Sequence, residues 1–573
     1  MNQNKYLSFV SEYDKEPKTF VKGNGFVGHP AIAETIAKRF SSAPIIVLEK
    51  YPGIRQETLR RLAEAIASKI GAVAFDVEEA AKDESEIQEM IQNNLTDDRV
   101  FGVMSHFHVE DFYDEKKLEN LKANLPSKAV VYGFGASLVS EENVVYVELD
   151  RWEMQLRFRN KETNWHASNE NEDPLKKFKR GYFVEWRAAD RLKKKLLRNT
   201  AFYIDGNDDT AWKMVETKDL MEALHVLAYR PFRLVPYFDP GVWGGQWMKE
   251  VCHLDPSKKN YAWSFDGVPE ENALHFDFNG MVLSTPASNL TFFEPKALLG
   301  TRAYGRFGDE FPIRFDFLDT MGGGNLSLQC HPLTQYIQDK FGMHYTQDES
   351  YYLLDAGEDA VVYLGLKEGV DKEAMIRDLK HAQETGEEFP ADLYVNHFPA
   401  KKHDHFLIPA GTVHCSGKDS MVLEISATPY IFTFKLYDWG RIGLDGKPRP
   451  IHIDHGANNI QFDRTTQWVK DNLINHFEVK EDGWVKTGLH EAEFVETRRK
   501  FFSSRIEVNT HGSVNVNNLV EGRAARIISK DGSFEDYVIH YAETFIVPST
   551  VESYFIEPVY EGETVGLIQA YVR

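Results

Sequence analysis

Three cysteines in 573 residues are too few for a disulfide framework, and Cys252, Cys330 and Cys415 form no CxxC pair. A thiolate zinc finger is therefore excluded, and a reducing compartment is expected. Positive charge is in deficit. Lys and Arg number 66 against 88 Asp and Glu, and the formal net charge is −22. Nucleic acid and anionic membrane both demand basic surface, so neither is expected as a partner. Long apolar runs are missing as well. "APIIVL" and "KAVVYGFGA" are strand-sized, far below the roughly 20 residues that span a bilayer. The opening "MNQNKYLSFVSEYDKEPKTF" carries no apolar stretch of signal-peptide length, so the expected location is the cytoplasm. No GxxxxGK[ST] occurs anywhere, which argues against nucleotide turnover on a phosphate loop. What is present is ordinary globular material, 42% apolar, in a chain long enough for two to four domains.

The pattern changes along the chain. Over residues 1–220, strand-like "APIIVLEKY" and "GAVAFDVEE" flank the helix-periodic "RQETLRRLAEAIASKI". "RVFGVMSHF", "KAVVYGFGA" and "NVVYVELD" add β-rich runs, and "DEKKLENLKANL" reads as a helix between them. Strands alternating with helices imply a doubly wound α/β domain with a largely parallel sheet. Near 215–230 the chain turns rich in Pro, Gly and aromatics. From 230 to 490 short strands dominate, interrupted by the helical "GVDKEAMIRDLKHAQETG". Residues 491–573 form a further β-rich block. The expectation is a multidomain α/β and mainly β protein, an α/β domain followed by two β-barrels or sandwiches.

"LSLQCHP" holds the first chemistry. As a strand it points Ser327, Gln329 and His331 to one face and Leu326, Leu328 and Cys330 to the other. Glu349 opens the next strand, "ESYYLLD", and "IPAGTVHCSG" places His414 after a glycine turn. Two imidazoles, a carboxylate and an amide suit a divalent transition metal such as zinc with one position open. Alternation turns Cys330 away, and neither it nor Cys415 is expected to ligate. Spacing alone leaves a rival reading of equal weight, unrelated polar residues on a half-solvated sheet.

"GNLSLQCHP", "ESYYLLDAGEDAVVYLGLKEGV", "LIPAGTVHCSGKDSMVLEI" and "FKLYDWGRIGLDGKPRPIHI" together resemble the type I mannose-6-phosphate isomerases, zinc enzymes of the cupin superfamily. The likeness begins upstream at "YFDPGVWGGQWM" and covers about 230–573. It implies two cupin-type jelly-roll barrels and one Zn2+ per chain, held by Gln329, His331, Glu349 and His414. It also implies interconversion of mannose 6-phosphate and fructose 6-phosphate through a cis-enediol. Lys435 stands where the family has a catalytic Arg, and Arg441 matches a family position, so both are catalytic candidates. Ser327 and Arg314 are substrate-binding candidates, and the partner is a small sugar phosphate. The chain departs from the family at Gln347, where a Lys is usual, and at Asp316, where a basic residue is usual. Those losses leave open a sugar-binding protein without turnover, or an isomerase of another, possibly unphosphorylated, sugar.

Other motifs read as structural. His106, His108 and Glu110 in "SHFHVED" recur at period two without a third partner. His403 and His405 read as surface or supporting histidines. "GNGFVG" (23–28) matches GxGxxG but follows no buried strand. The α/β domain is distantly similar to nucleoside-kinase-like domains, through "PIIVLEKYPGIRQE", "AVAFDVEEA" and "VYVELDRWEMQLRFR", with Asp76, Arg151 and Arg157 as its notable charges.

Overall fold

The computed structural model describes residues 5–427, 430–488 and 490–573, so the first four residues of the stretch read for a leader lie outside it. The protein is a mixed α/β chain with six β-sheets among the described residues. It divides into two compact units that are not contiguous in sequence. One comprises 18–226 and 273–293. The other comprises 1–17, 227–272 and 294–573.

The first unit is built on a seven-stranded sheet. Its centre is Ile45–Lys50, parallel to Ala129–Gly133 on one side and to Val144–Glu148 on the other. Val73–Asp76 and Phe202–Asp205 extend it in parallel, and Lys213–Glu216 and Gly25–Val27 close one edge antiparallel. Buried on both faces, the central strands read as near-continuous apolar runs. Helix Gln56–Ile70 presents Leu59, Leu62, Ala63 and Ile66 to the core, the 3.6-residue spacing seen in the sequence. Its end is set by Gly71 in the left-handed region.

One local expectation changes here. "RVFGVMSHF" forms no strand; its backbone bonds go to Asn94 and Phe183 instead, through Val103 and Ser105. "GNGFVG" becomes an edge strand and a turn, with Gly28 preceding helix His29–Arg39 at φ 85°. A second, three-stranded sheet joins Thr19–Val21 to the hairpin Ala273–Phe278/Met281–Pro286, and this pairing places 273–293 in the first unit.

The second unit holds four sheets in two pairs. A six-stranded sheet runs in the order His405–Ile408, Asp348–Ala356, Ser420–Ala427, Arg314–Asp319, Trp263–Gly267 and Tyr237–Asp239. Its companion of five strands runs Val395–Pro399, Val361–Leu366, His414–Ser416, Leu328–Cys330 and Phe434–Tyr437. Helix Lys372–Thr385 interrupts this part, capped by the Asp371 carboxylate on two backbone N–H groups. The sheet of the later β block begins at Glu478, ahead of 491, because Glu478–Val479 pairs with Val485–Gly488, which in turn pairs with Val495–Phe502. The two sheets of this block enclose a hydrophobic cluster that includes Phe502, Leu519, Phe545, Ile556 and Leu567.

Candidate metal centre

The five-stranded sheet sets up the centre by register. Gln329 lies directly opposite His414 on one neighbouring strand and opposite Lys435 on the other. Directly paired residues in antiparallel strands share a face. His414, Gln329 and Lys435 therefore form one row, and His331 follows two residues on from Gln329. Glu349 arrives from the six-stranded sheet, at the start of Asp348–Ala356.

The ligand atoms of His331, Glu349 and His414 lie within 4.8 Å of one another, and all three residues are buried. Glu349 Oε2 is 3.0 Å from His331 Nε2, and its Oε1 is 2.8 Å from His414 Nε2. Gln329 Nε2 lies 3.2 Å from His414 Nε2. Each imidazole is held from behind: Nδ1 of His331 meets the Phe432 carbonyl at 2.7 Å, and Nδ1 of His414 meets the Thr412 carbonyl at 2.8 Å. A proton fixed at Nδ1 leaves the Nε2 lone pair for a metal.

The fit to a metal can be tested on atoms that lack partners. His331 Nε2 and Glu349 Oε1 are buried without a hydrogen bond, although both are in close contact. Buried polar atoms are rarely left so. A cation between them satisfies both, and the nitrogen and oxygen donors suit zinc. Burial alone would raise Glu349, but the two imidazoles hold its carboxyl well below the usual range. Burial likewise opposes charge on His331, yet Glu349 keeps its pKa above the ordinary value.

The wall facing the centre is polar too. Across three strands of the six-stranded sheet, Arg314, Ser426 and Glu349 form one row and Asp316, Glu424 and Tyr351 the next on that face. All six are buried. Arg314 Nε, Asp316 Oδ1 and Ser426 Oγ have no hydrogen bond. Burial pushes Asp316 up to about 7, against the pull of Arg314. Burial, then Glu349 and Asp316, push Glu424 well above the usual range. The sequence reading missed Glu424. Its signal was a lone carboxylate in the apolar "MVLEIS", where alternation turns Val422, Glu424 and Ser426 to one face.

The remaining candidates fall out as follows. Ser327 donates to Asp438 Oδ1 at 2.6 Å, and Arg441 reaches the same oxygen at 2.6 Å and the Asn325 carbonyl at 2.5 Å. Arg449, which the sequence reading also missed, joins Asp438 at 2.9 Å and Ser327 at 3.0 Å. Two guanidinium groups thus share one carboxylate at this end of the sheet. Cys330 is buried with its thiol toward the Gly456 carbonyl, 3.9 Å away. His405 and His403 are engaged by Ser350 and Tyr352. In the first unit, His106, His108 and Glu110 are exposed. Asp76 caps Glu78, Arg151 pairs with Asp190, and Arg157 binds the Gly53 carbonyl.

Among known proteins, the mannose-6-phosphate isomerase ManA of Bacillus subtilis (strain 168) is 28% identical over 232 residues, 40% of this chain and 68% of that protein. A mannose-6-phosphate isomerase of Streptococcus mutans is 23% identical over 319 residues, 55% of this chain and 90% of its own length. By these relatives the chain is an isomerase-like enzyme. The crystal structure of the Bacillus subtilis mannose 6-phosphate isomerase overlays on 60% of this chain and 100% of its own, with TM-score 0.49 and 18% identity. Residues 28–229 match a family described as a domain of unknown function, DUF8485. No helix among the described residues is long and apolar enough to cross a membrane.

Proposed function

We propose that the chain is a zinc-dependent aldose–ketose isomerase that interconverts mannose 6-phosphate and fructose 6-phosphate through a cis-enediol. The observation that carries this is the convergence of His331, Glu349 and His414 with buried atoms lacking partners, inside a polar-walled sheet pair. The scaffold is taken as two cupin-type barrels behind a doubly wound α/β domain, and the cytoplasm as its location. Three free, buried cysteines suit that compartment.

One zinc per chain would be held by His331, Glu349 and His414, with Gln329 beside His414 as a fourth donor through its amide oxygen. Bound there, zinc would supply Lewis acidity for polarising a sugar carbonyl or hydroxyl oxygen. The chain's own groups do the rest. Lys435 shares the face of Gln329 and offers a cation to the oxygens that gain charge in the enediol. Arg314, with Nε open, binds a sugar hydroxyl or oxyanion from the opposite wall. Asp316, with a pKa of about 7, can take and return a proton near neutrality. Ser327 lies two residues before Gln329, roughly 7 Å along an extended chain. Arg441 and Arg449 there give the sugar's phosphate a positive end, Arg441 in a supporting catalytic role.

A second reading is a sugar-binding protein without turnover. It is favoured by one observation, that Arg441 is already bonded to Asp438 and to the Asn325 carbonyl. Purified protein assayed on fructose 6-phosphate and mannose 6-phosphate, before and after chelation and zinc add-back, separates the two. Conversion that disappears with chelation and returns with zinc supports the isomerase. Binding without conversion by zinc-loaded protein supports the second reading. Conversion of free hexoses in preference to phosphorylated ones would move the substrate and keep the chemistry.

A further inference from the structure

Gln347 precedes the ligand Glu349 by two residues and is buried, 4% exposed. Both ends of its side-chain amide are used. Its Nε2 donates to Glu349 Oε2 at 2.9 Å, and its Oε1 accepts from the Phe432 backbone N–H at 3.0 Å. The carbonyl of the same Phe432 residue meets His331 Nδ1 at 2.7 Å. A closed path therefore runs from Glu349 through Gln347 and Phe432 to His331.

We propose that Gln347 is a positioning residue that couples two metal ligands, fixing the carboxylate of Glu349 and the imidazole of His331 in one geometry through Phe432. This rests on the reading that the cluster holds a metal. The residue type follows from the two bonds. Lysine has donors only and would leave the Phe432 N–H without an acceptor. Glutamate could accept from that N–H but would set a second carboxylate against Glu349. Asparagine is one methylene short. Glutamine is the side chain that both donates to a carboxylate and accepts from a backbone N–H over this span.

The segment does not depend on the amide for its own place. Thr346 donates its hydroxyl to the Pro332 carbonyl, and Asp348 accepts from the Ala410 N–H at 2.8 Å. Gly411 N–H donates to the His331 carbonyl at 2.9 Å. Removing the Gln347 amide thus cuts the link between the ligands and leaves the backbone that carries them tied on either side.

The test uses the full chain, stripped by chelation, with Gln347→Met (similar volume, no polar end) and Gln347→Lys (donor kept, acceptor lost). Zinc affinity is measured by competition with a chromophoric chelator, and the visible spectrum of the Co2+-loaded protein reports ligand geometry. Circular dichroism of the metal-free proteins verifies folding. Gln347→Met is expected to bind zinc about 10- to 100-fold more weakly, with a changed Co2+ spectrum. Gln347→Lys should fall between it and the wild type. Zinc affinity within twofold of wild type and an unchanged Co2+ spectrum in a folded Gln347→Met protein would overturn the proposal. Wild-type protein that binds neither ion would instead overturn the metal reading on which it rests.

Discussion

Zinc should stabilise the strands that carry its ligands, by an amount that can be worked out in advance. A ligand that binds only the folded state stabilises it by RT ln(1 + [L]/Kd). With free zinc at 100 times Kd, the gain is about 2.7 kcal/mol. His414→Ala removes one of three donors that lie within 4.8 Å of each other. If that raises Kd about a thousandfold, the same zinc concentration is a tenth of Kd, and the gain falls below about 0.1 kcal/mol. Gln347→Met, a hundredfold weaker by the argument above, keeps about 0.4 kcal/mol. Hydrogen exchange followed by mass spectrometry reads these values on peptides spanning 326–356 and 405–427, without assuming that the whole chain unfolds at once. Each variant is compared with its own metal-free form, so the cavity left by the imidazole cancels. Equal protection by zinc in wild type and His414→Ala, or none in either, would refute the reasoning.

Lys435→Met should lower kcat/KM by roughly 10²- to 10⁴-fold while zinc affinity stays within a few fold, since Lys435 faces the site but is not among the ligands; a parallel loss of zinc would refute this. Burial pushes Glu49 up to about 7 from 4.5, against the backbone N–H groups of Ser137 and Gly135. Its folded pKa is the higher one, so its contribution is full below 4.5 and is lost as the pH rises through about 7. Wild type should therefore lose roughly 3 kcal/mol relative to Glu49→Gln across that window, read by urea unfolding at a series of pH values, and a constant difference would contradict it. Leu567→Ala, in the apolar cluster of the last block, should cost about 2–5 kcal/mol in unfolding free energy and leave zinc affinity unchanged.

The shared face of Gln329 and His331 was legible because it depends on strand alternation, which is local. Gln329 and His331 turn one way and Cys330 the other whatever the strand pairs with. Helices Gln56–Ile70 and Lys372–Thr385 were legible for the same reason, from a 3.6-residue apolar period and clear ends. What was hidden depends on distant partners. "RVFGVMSHF" has the composition of a strand but no neighbour to pair with. Thr19–Val21 pairs with Phe276–Phe278, and no local pattern in either segment announces the other. Glu424 looked like one charge in an apolar run until register set it beside Asp316 and Tyr351.

The two sheet pairs of the second unit show why pattern gives architecture sooner than function. Both read in the sequence as short alternating strands. In the later pair the inward set is mainly aliphatic and aromatic, with the buried amides of Asn517 and Gln569 on the face of Leu519 and Leu567. In the earlier pair the inward set includes Arg314, Asp316, Glu349, Glu424, Gln329 and two histidines, several with buried atoms that lack hydrogen bonds. Each such atom costs roughly 1–3 kcal/mol, a penalty that packing alone has no use for. What distinguishes the two pairs is thus which residues alternation turns inward: charged side chains and imidazoles in the earlier pair, mostly carbon with a few amides in the later one.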